Sequence, residues 1–496
     1  MKFLLFISLL LDTSFANAQN DHPNIIYILA DDMGYGDVSC LNKDSKINTK
    51  NIDVLAAEGM KFTDAHSNSA VCTPTRYGVL TGRYAWRTSL QSGVLWSYDN
   101  MLIDKNRMTV ASLLQKNGYH TAAIGKWHLG LGWHKDAEDQ VDILKGITEG
   151  PTDIGFDYFY GITASLDIPP YVYIENHKVT AAEIDTIQAT TGKGFWRKGP
   201  IGNDFNHQEV LPNLTKHAVD YIKQQSATGN PFFLYMALPS PHTPILPAKE
   251  YLGKTGTNAY GDFVLMTDDM IGKILQALKD AGVENNTLVI FTSDNGCSPM
   301  ADFTELKKAG HNPSYIFRGA KADIFEGGHH IPFIVKWPGK VKAGTVNNET
   351  ICLTDFMATC ASLVNQKLPD NAGEDSYDLM PLLTGNGKYL RTRTIHHSID
   401  GNFSIRQGQW KLEFCAGSGG WSYPTKNDLK TLQLPAIQLY DLYDDWGEQK
   451  NVASAHKKMV TTLTKEMKQI VRDGRSTAGS KQRNDVEVDY LKNKTQ

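Results

Sequence analysis

The sequence predicts an α/β protein: a large, mostly parallel central sheet flanked by helices, followed by a smaller α+β subdomain with an antiparallel sheet. Three observations predict it. Unbroken apolar runs such as 24–30 and 232–238 suit strands buried on both faces. Amphipathic helical stretches alternate with such runs to about residue 385. Beyond that point the chain changes to short strand-like runs joined by turns.

Taken in order, Met1-Lys2, an apolar run over 3–11 and Ala16-Asn17-Ala18 form a secretory signal over 1–18. It places the mature protein in a secreted or periplasmic setting, and no later run is long enough for a membrane span. Residues 24–30 form a strand that runs into the Asp31-Asp32-Met33-Gly34-Tyr35-Gly36 loop. A helix over 52–59 stops at Gly59, and 62–65 reads as a strand. Pro74 is pre-organised for a helix start, so Cys72 lies at or just before a helix N-terminus, where backbone N–H groups favour anions. A helix over 109–117 and a strand over 121–127 follow.

From 129 to 206 the pattern loosens, and glycine, proline, aspartate and aromatics suggest a long insertion packed over one end of the sheet. Helices are expected at 214–225, 262–281 and 354–364, and strands at 232–238, 287–292 and 331–336. The α/β domain thus spans 19–385 and the C-terminal subdomain 386–496. The latter carries strands at 392–397, 403–406, 410–414 and 438–442, a helix at 455–472, and a polar, partly mobile tail from 481.

The 496 residues carry a formal net charge of -4, which argues against general nucleic-acid binding. An anionic substrate would have to be drawn by a local cluster of cations. Six cysteines are too sparse for a disulfide scaffold, and Cys352 and Cys360 are too far apart on one helix to bridge within it.

The chemistry is placed by strand ends. Asp31-Asp32 and Asp294-Asn295 each follow a predicted strand, and open α/β sheets bind ligands outside the carboxyl ends of their strands. If those strands are parallel neighbours, the acids converge. Two carboxylates about 4 Å apart repel by about 4 kcal/mol at an effective dielectric of about 20, so the cluster requires a cation or a proton. All-oxygen ligands suit Ca²⁺ or Mg²⁺ rather than Zn²⁺. Arg76 lies one turn into the Cys72 helix, and Lys126, His128, His242 and Lys321 each follow a strand or sit in a glycine-rich loop near the same edge. Lys126 and His128 alternate so that both side chains fall on one side of an extended segment.

The string Cys72-Thr73-Pro74-Thr75-Arg76, followed by Leu80-Thr81-Gly82-Arg83, resembles the signature of the type I, formylglycine-dependent sulfatases. The runs at 31–37, 125–130, 241–244 and 293–296, the Lys321 segment and Leu439-Tyr440-Asp441-Leu442 look like that family's motifs in its order. The resemblance covers most of residues 22–450. It implies an alkaline-phosphatase-like sandwich and a sulfuric ester hydrolase. It also implies that Cys72 is converted to Cα-formylglycine (3-oxoalanine) by a maturation enzyme, and that Asp31, Asp32, Asp294, Asn295 and residue 72 ligate Ca²⁺, with Mg²⁺ the alternative. A hydroxyl of the hydrated aldehyde attacks sulfur. Lys126, His242 and Lys321 spread the sulfate charge, and His242 with Lys321 protonates the leaving alcohol. His128 takes a proton from the second hydroxyl to expel sulfate, and Arg76 holds the diol. One departure from the family pattern is His330, where arginine is usual, with the expected loss of a structural salt bridge.

The segments 165–176 and 310–314 look like those of bacterial carbohydrate sulfatases and N-acetylgalactosamine-6-sulfatases. They imply a sulfated carbohydrate substrate, a 6-O-sulfate of galactose or N-acetylgalactosamine, with Asp167 and His311 either bonding sugar hydroxyls or bracing their loops. The alternatives are another sulfate position, small aryl sulfates, and a phosphodiesterase or phosphonate hydrolase of the same fold.

Overall fold

The computed structural model describes residues 22–492, so the expected signal segment lies outside the described residues. Ten strands form the main sheet: β1 (Asn24–Asp31), β2 (Met60–Phe62), β3 (His120–Lys126), β4 (Tyr158–Ile162), β5 (Tyr173–Glu175), β6 (Lys178–Val179), β7 (Phe232–Pro241), β8 (Thr287–Ser293), β9 (Phe333–Lys336) and β10 (Thr345–Asn347). Their order is β10-β2-β9-β8-β1-β7-β3-β4-β5-β6. The five central strands, from β8 to β4, are parallel. The antiparallel pairs lie towards the margins.

β1 sits at the centre and is buried throughout. Its side chains alternate between two cores, as the strand period requires. Ile25, Tyr27 and Leu29 pack in one core with α2 (Cys72–Thr81), α3 (Val110–Lys116) and α6 (Phe356–Leu363). Ile26, Ile28 and Ala30 face the other, with α1 (Lys50–Ala57), α4 (Val210–Ser226) and α5 (Ala259–Asp280). Each fully buried aliphatic side chain contributes about 1.5–3 kcal/mol, which is why the central strands read as continuous apolar runs.

A separate four-stranded antiparallel sheet follows, made of β11 (Thr394–His397), β12 (Phe403–Gln407), β13 (Trp410–Glu413) and β14 (Gln438–Asp441). It is covered by α7 (Lys457–Asp473), whose Leu463, Met467 and Ile470 pack on Ile405, Leu412 and Leu439.

The structure departs from the sequence expectations in three places. The 129–206 insertion is not only a cover, because it supplies β4, β5 and β6 and so extends the sheet edge beside β3. Glycine and aromatics masked β4, whose run Tyr158-Phe159-Tyr160-Gly161-Ile162 lacks the aliphatic pattern of the other central strands. The 62–65 strand is two pieces, with β2 ending at Phe62 and a short pairing of Ala65–His66 with Ile351–Cys352. The tail from 481 is docked as far as it is described. Asp485 pairs with Arg83 (3.0 Å), Asn484 accepts from Arg87 (2.9 Å), and Tyr490 packs edge-on against Phe414.

The two sheets meet across a buried polar layer. Asp64, His66, Glu326, His329 and His330 from the first part face His396, Arg406 and Lys411 from the second, all buried. Arg406 pairs with Asp64 (2.6 Å), and Lys411 with Glu326 (3.1 Å) and Glu448 (2.7 Å). His330 contacts Glu326 (3.0 Å) and faces the Thr63 carbonyl (2.9 Å), so a polar contact to Glu326 is kept at this position. Every ring nitrogen of His66, His329 and His396 has a protein partner. These histidines therefore read as structure rather than as metal ligands.

Burial pushes the His66 imidazole down to about 4 and holds His329 and His396 well below the ordinary range. Between about pH 6.5 and 4 the unfolded chain binds protons that the folded chain refuses. Stability is therefore full above about pH 6.5 and falls as pH drops, by up to about 3 kcal/mol for His66 alone near pH 4. Denaturant unfolding at pH 7.5 and pH 5 checks this. An equal or higher midpoint at pH 5 would contradict it.

Candidate active site

The expected groups meet at the carboxyl ends of four adjacent parallel strands. β1 and β8 are parallel neighbours, with Ala30 opposite Ser293, so Asp31-Asp32 and Asp294-Asn295 leave the sheet side by side. β7 lies on the other side of β1, with Asp31 opposite Pro241, and delivers His242. β3 follows β7 and ends at Lys126. Cys72 begins α2 and Arg76 lies one turn on, both buried. Lys321 arrives on a loop whose backbone N–H donates to the Cys297 carbonyl (2.9 Å).

The acid loop is held backbone to backbone. A Cβ on Gly36 would fall 2.0 Å from the Asn312 carbonyl oxygen, which no side chain could tolerate. Asp32 and His128 both adopt left-handed backbone, with φ of 66° and 56°. Strain of this kind in non-glycine residues collects at functional sites. At His128 it corrects the sequence reading. The extended alternation ends at Lys126, and the histidine reaches the site through the left-handed turn.

The contacts are dense. Lys126 Nζ donates to Asp31 Oδ2 (2.7 Å), Lys321 Nζ to Asp32 Oδ1 (2.6 Å), and Arg76 to Asp294 Oδ2 (2.7 Å) and the Lys126 carbonyl (3.0 Å). Asn295 Nδ2 donates to Asp32 Oδ1 (2.7 Å), and the Cys72 thiol faces Asp31 Oδ1 (3.7 Å). Asp31, Asp32, Cys72 and His242 each offer an atom within 4.8 Å of the others. Burial pushes the Asp31 carboxyl up, but Lys126, His242 and Arg76 outweigh it and hold it well below its usual range. Burial and the neighbouring Asp31 push Asp294 up to about 7.

The donor set fits a hard cation. Asp32 Oδ2 and Asn295 Oδ1 are buried without a hydrogen-bond partner, and Asp31 and Asp32 each offer an oxygen within 4.8 Å of the other. A buried acceptor left unpaired costs about 1–3 kcal/mol, and a cation would relieve it.

The two histidines are tuned in opposite directions. His128 Nε2 faces the Leu95 carbonyl (2.8 Å), which can only accept, so Nε2 carries the proton. Nδ1 then holds a lone pair, buried and without a partner. Burial, Lys126 and Arg76 push this imidazole well down, so it is neutral and able to accept a proton. His242 Nδ1 donates to the Thr243 carbonyl (2.6 Å), turning Nε2 to Asp32 Oδ2 (3.6 Å). Burial and Lys321 push His242 down, yet Asp32 and Asp31 outweigh them and leave it above the ordinary value, favouring the imidazolium. The two environments thus favour opposite protonation states, neutral at His128 and charged at His242.

Two expected residues stand apart. His311 is buried, with Nε2 to Asp37 Oδ1 (2.8 Å) and Nδ1 accepting from the Lys46 N–H (3.3 Å), so one nitrogen braces the 31–37 loop and the other the chain at Lys46. Asp167 pairs with Arg197 through Oδ2. Sequence reasoning missed Thr73 and Leu95. The Leu95 N–H donates to Thr73 Oγ1 (3.2 Å) while its carbonyl holds His128. No residue-type signal marks a backbone carbonyl.

Residues 23–366 match the sulfatase family model. The chain belongs to the sulfatase family. Sulfatases are sulfuric ester hydrolases, and the family generally uses a metal and a formylglycine. The chain is 35% identical to an N-acetylgalactosamine-6-O-sulfatase of Bacteroides thetaiotaomicron, over 90% of this chain and 93% of that one. It is 32% identical to human arylsulfatase A, over 90% and 86%. Among solved structures, a Bacteroides thetaiotaomicron 6S-sulfatase described with glycosaminoglycan metabolism superposes with a TM-score of 0.81 at 32% identity, over 91% of this chain and 99% of that one.

Proposed function

We propose that this sulfatase releases the 6-O-sulfate of galactose or N-acetylgalactosamine, in chondroitin-type chains or a sulfated galactan. The similarity to an N-acetylgalactosamine-6-O-sulfatase over nearly the whole chain supports the substrate class. The opposed tuning of His128 and His242 carries the chemistry.

In this reading Cys72 is converted to formylglycine by a maturation enzyme, and the hydrated aldehyde supplies one hydroxyl to attack sulfur and a second whose deprotonation releases sulfate. Asp31, Asp32, Asp294, Asn295 and residue 72 would hold Ca²⁺, or Mg²⁺ in its place. The ion's chemistry is to acidify the attacking hydroxyl and draw charge from the sulfate oxygens. Lys126, Lys321 and His242 bring three cationic groups to those oxygens. His242, with Lys321, passes a proton to the departing sugar alcohol. His128 Nδ1 takes the proton that sets sulfate free. Arg76, buried between Asp294 and Asp31, fixes the carboxylates and would hold the hydrated residue 72. The N-terminal signal would place the enzyme in a secreted or periplasmic setting. No described helix is long and apolar enough to cross a membrane.

Sulfate release from galactose and N-acetylgalactosamine bearing 6-, 4- or 2-sulfate, beside a small aryl sulfate and a phosphodiester, tests the reading. The 6-sulfates should be turned over fastest. Chelation should abolish turnover, and Ca²⁺ should restore it. Good turnover confined to 4- or 2-sulfated sugars, or phosphodiester cleavage without sulfate release, would overturn it. The arylsulfatase A similarity supports the second reading, small aryl sulfates, and the same panel separates the two.

A further inference from the structure

Behind the acid loop lies a buried network that the proposed mechanism leaves unused. Its centre is Asp37, fully buried, whose carboxylate pairs with no lysine or arginine among the described residues. Asp37 accepts from the Gly34 N–H (2.7 Å), from the Tyr260 hydroxyl and from His311 Nε2 (2.8 Å). His311 Nδ1 takes the Lys46 N–H (3.3 Å), so the histidine's proton sits on Nε2. Tyr260 is fixed in turn. It is the second residue of α5, and the Asn258 side chain caps that helix by accepting from the Tyr260 and Gly261 N–H groups (3.0 and 3.3 Å). Asn258 also donates to the Ala301 carbonyl (2.8 Å).

The Tyr260 hydroxyl also reaches the Asp32 carbonyl (3.1 Å). A backbone carbonyl and an ionised carboxylate can only accept, so the one hydroxyl proton serves both. Among the described residues nothing else donates to that carbonyl. The contact matters because Asp32 has left-handed backbone, with φ of 66°, and a non-glycine residue stays there only where its surroundings hold it. The peptide bond after Asp32 is pinned at both ends, its carbonyl by Tyr260 and its N–H by Ser293 Oγ (3.0 Å). Rotation of that peptide would turn the Asp32 side chain, and with it the Oδ2 that lacks a hydrogen-bond partner. We propose that Tyr260 is a positioning residue for the bound cation: its hydroxyl, anchored on Asp37, sets the Asp32 peptide so that the Asp32 carboxylate faces the other ligands. This role deepens the cation reading above and rests on it. A phenylalanine ring would fill the same space and leave the Asp32 carbonyl unpaired.

Calorimetric Ca²⁺ titration of the chelator-treated protein, wild type against Tyr260→Phe, tests it. The Ca²⁺ affinity of the variant should fall about 10- to 100-fold, the usual effect of losing a group that orients a metal ligand from behind. Urea unfolding of both proteins, with Ca²⁺ and with chelator, separates this role from plain support of the fold. The drop in midpoint should be larger with Ca²⁺, because a weakened ion contributes less to the folded state. Sulfate release by the variant should be low at limiting Ca²⁺ and return to within about twofold of wild type at saturating Ca²⁺. Unchanged affinity, equal drops in midpoint with and without Ca²⁺, or a loss of turnover that saturating Ca²⁺ does not repair would each overturn the role. A wild type that binds neither Ca²⁺ nor Mg²⁺ would overturn the cation reading, and this role with it. A wild type that binds the ion while Tyr260→Phe binds it equally well overturns the role alone.

Discussion

Replacing Cys72 with alanine is expected to lower sulfate release at least about 10⁴-fold while leaving the fold intact, because the reading places the nucleophile there and nowhere else. The structural cost should be small. The thiol is 2% exposed, and its polar contact is the long one to Asp31. Cys72→Ser should also fold and bind, yet turn over poorly, because a serine sulfate lacks the second hydroxyl needed to expel sulfate. Sulfate-release kinetics, thermal unfolding and the mass of the peptide containing residue 72 together check this. An unmodified thiol in fully active enzyme would refute the mechanism.

Substituting Lys411 with methionine should destabilise the protein by about 3–5 kcal/mol, the usual result of removing one partner from a buried ion pair. Lys411 is fully buried among Glu326, Glu413 and Glu448, and also donates to the Ile324 carbonyl (2.9 Å). Without it three acidic groups face one another in a low-dielectric layer. Activity should fall as well, since Ile324 and Glu326 lie just beyond Lys321. Urea unfolding and kcat under conditions where the variant remains folded check this. A loss below about 1 kcal/mol would show that the layer reorganises.

The central sheet was legible because parallel strands must be apolar on both faces, as the runs over 24–30 and 232–238 show. Asp31, Asp32 and Asp294 were legible for a related reason: acids directly after such runs fall at the carboxyl edge. β4 was hidden by its glycine and aromatics, and β9 gave no sign of running antiparallel to β8, because direction depends on the long path between strands. Asp167 and His311 looked alike in sequence, as single polar residues in irregular segments. Only the fold distinguishes a histidine with both nitrogens occupied from an aspartate with one oxygen unpaired. The pairing of each acid with its own cation could not be read either, since it depends on side-chain reach across strands.

The C-terminal part of the chain contributes none of the proposed reacting groups, yet its loops grip the segment that carries Lys321. Asp323 accepts from the Trp421 and Ser422 N–H groups (2.8 and 2.9 Å), Ile324 N–H donates to the Ser418 carbonyl (2.8 Å), and Glu326 N–H donates to Glu448 (2.7 Å). The segment before Cys72 is tied to it too, through Ala70 N–H to the His397 carbonyl (3.0 Å). A ribosome that has reached residue 385 has therefore already made every proposed reacting side chain, but not the partners that set two of them in place. Competence waits for the last portion of the chain to be synthesised. A frameshift or proteolytic cut in that portion would silence an active site whose own residues are all intact.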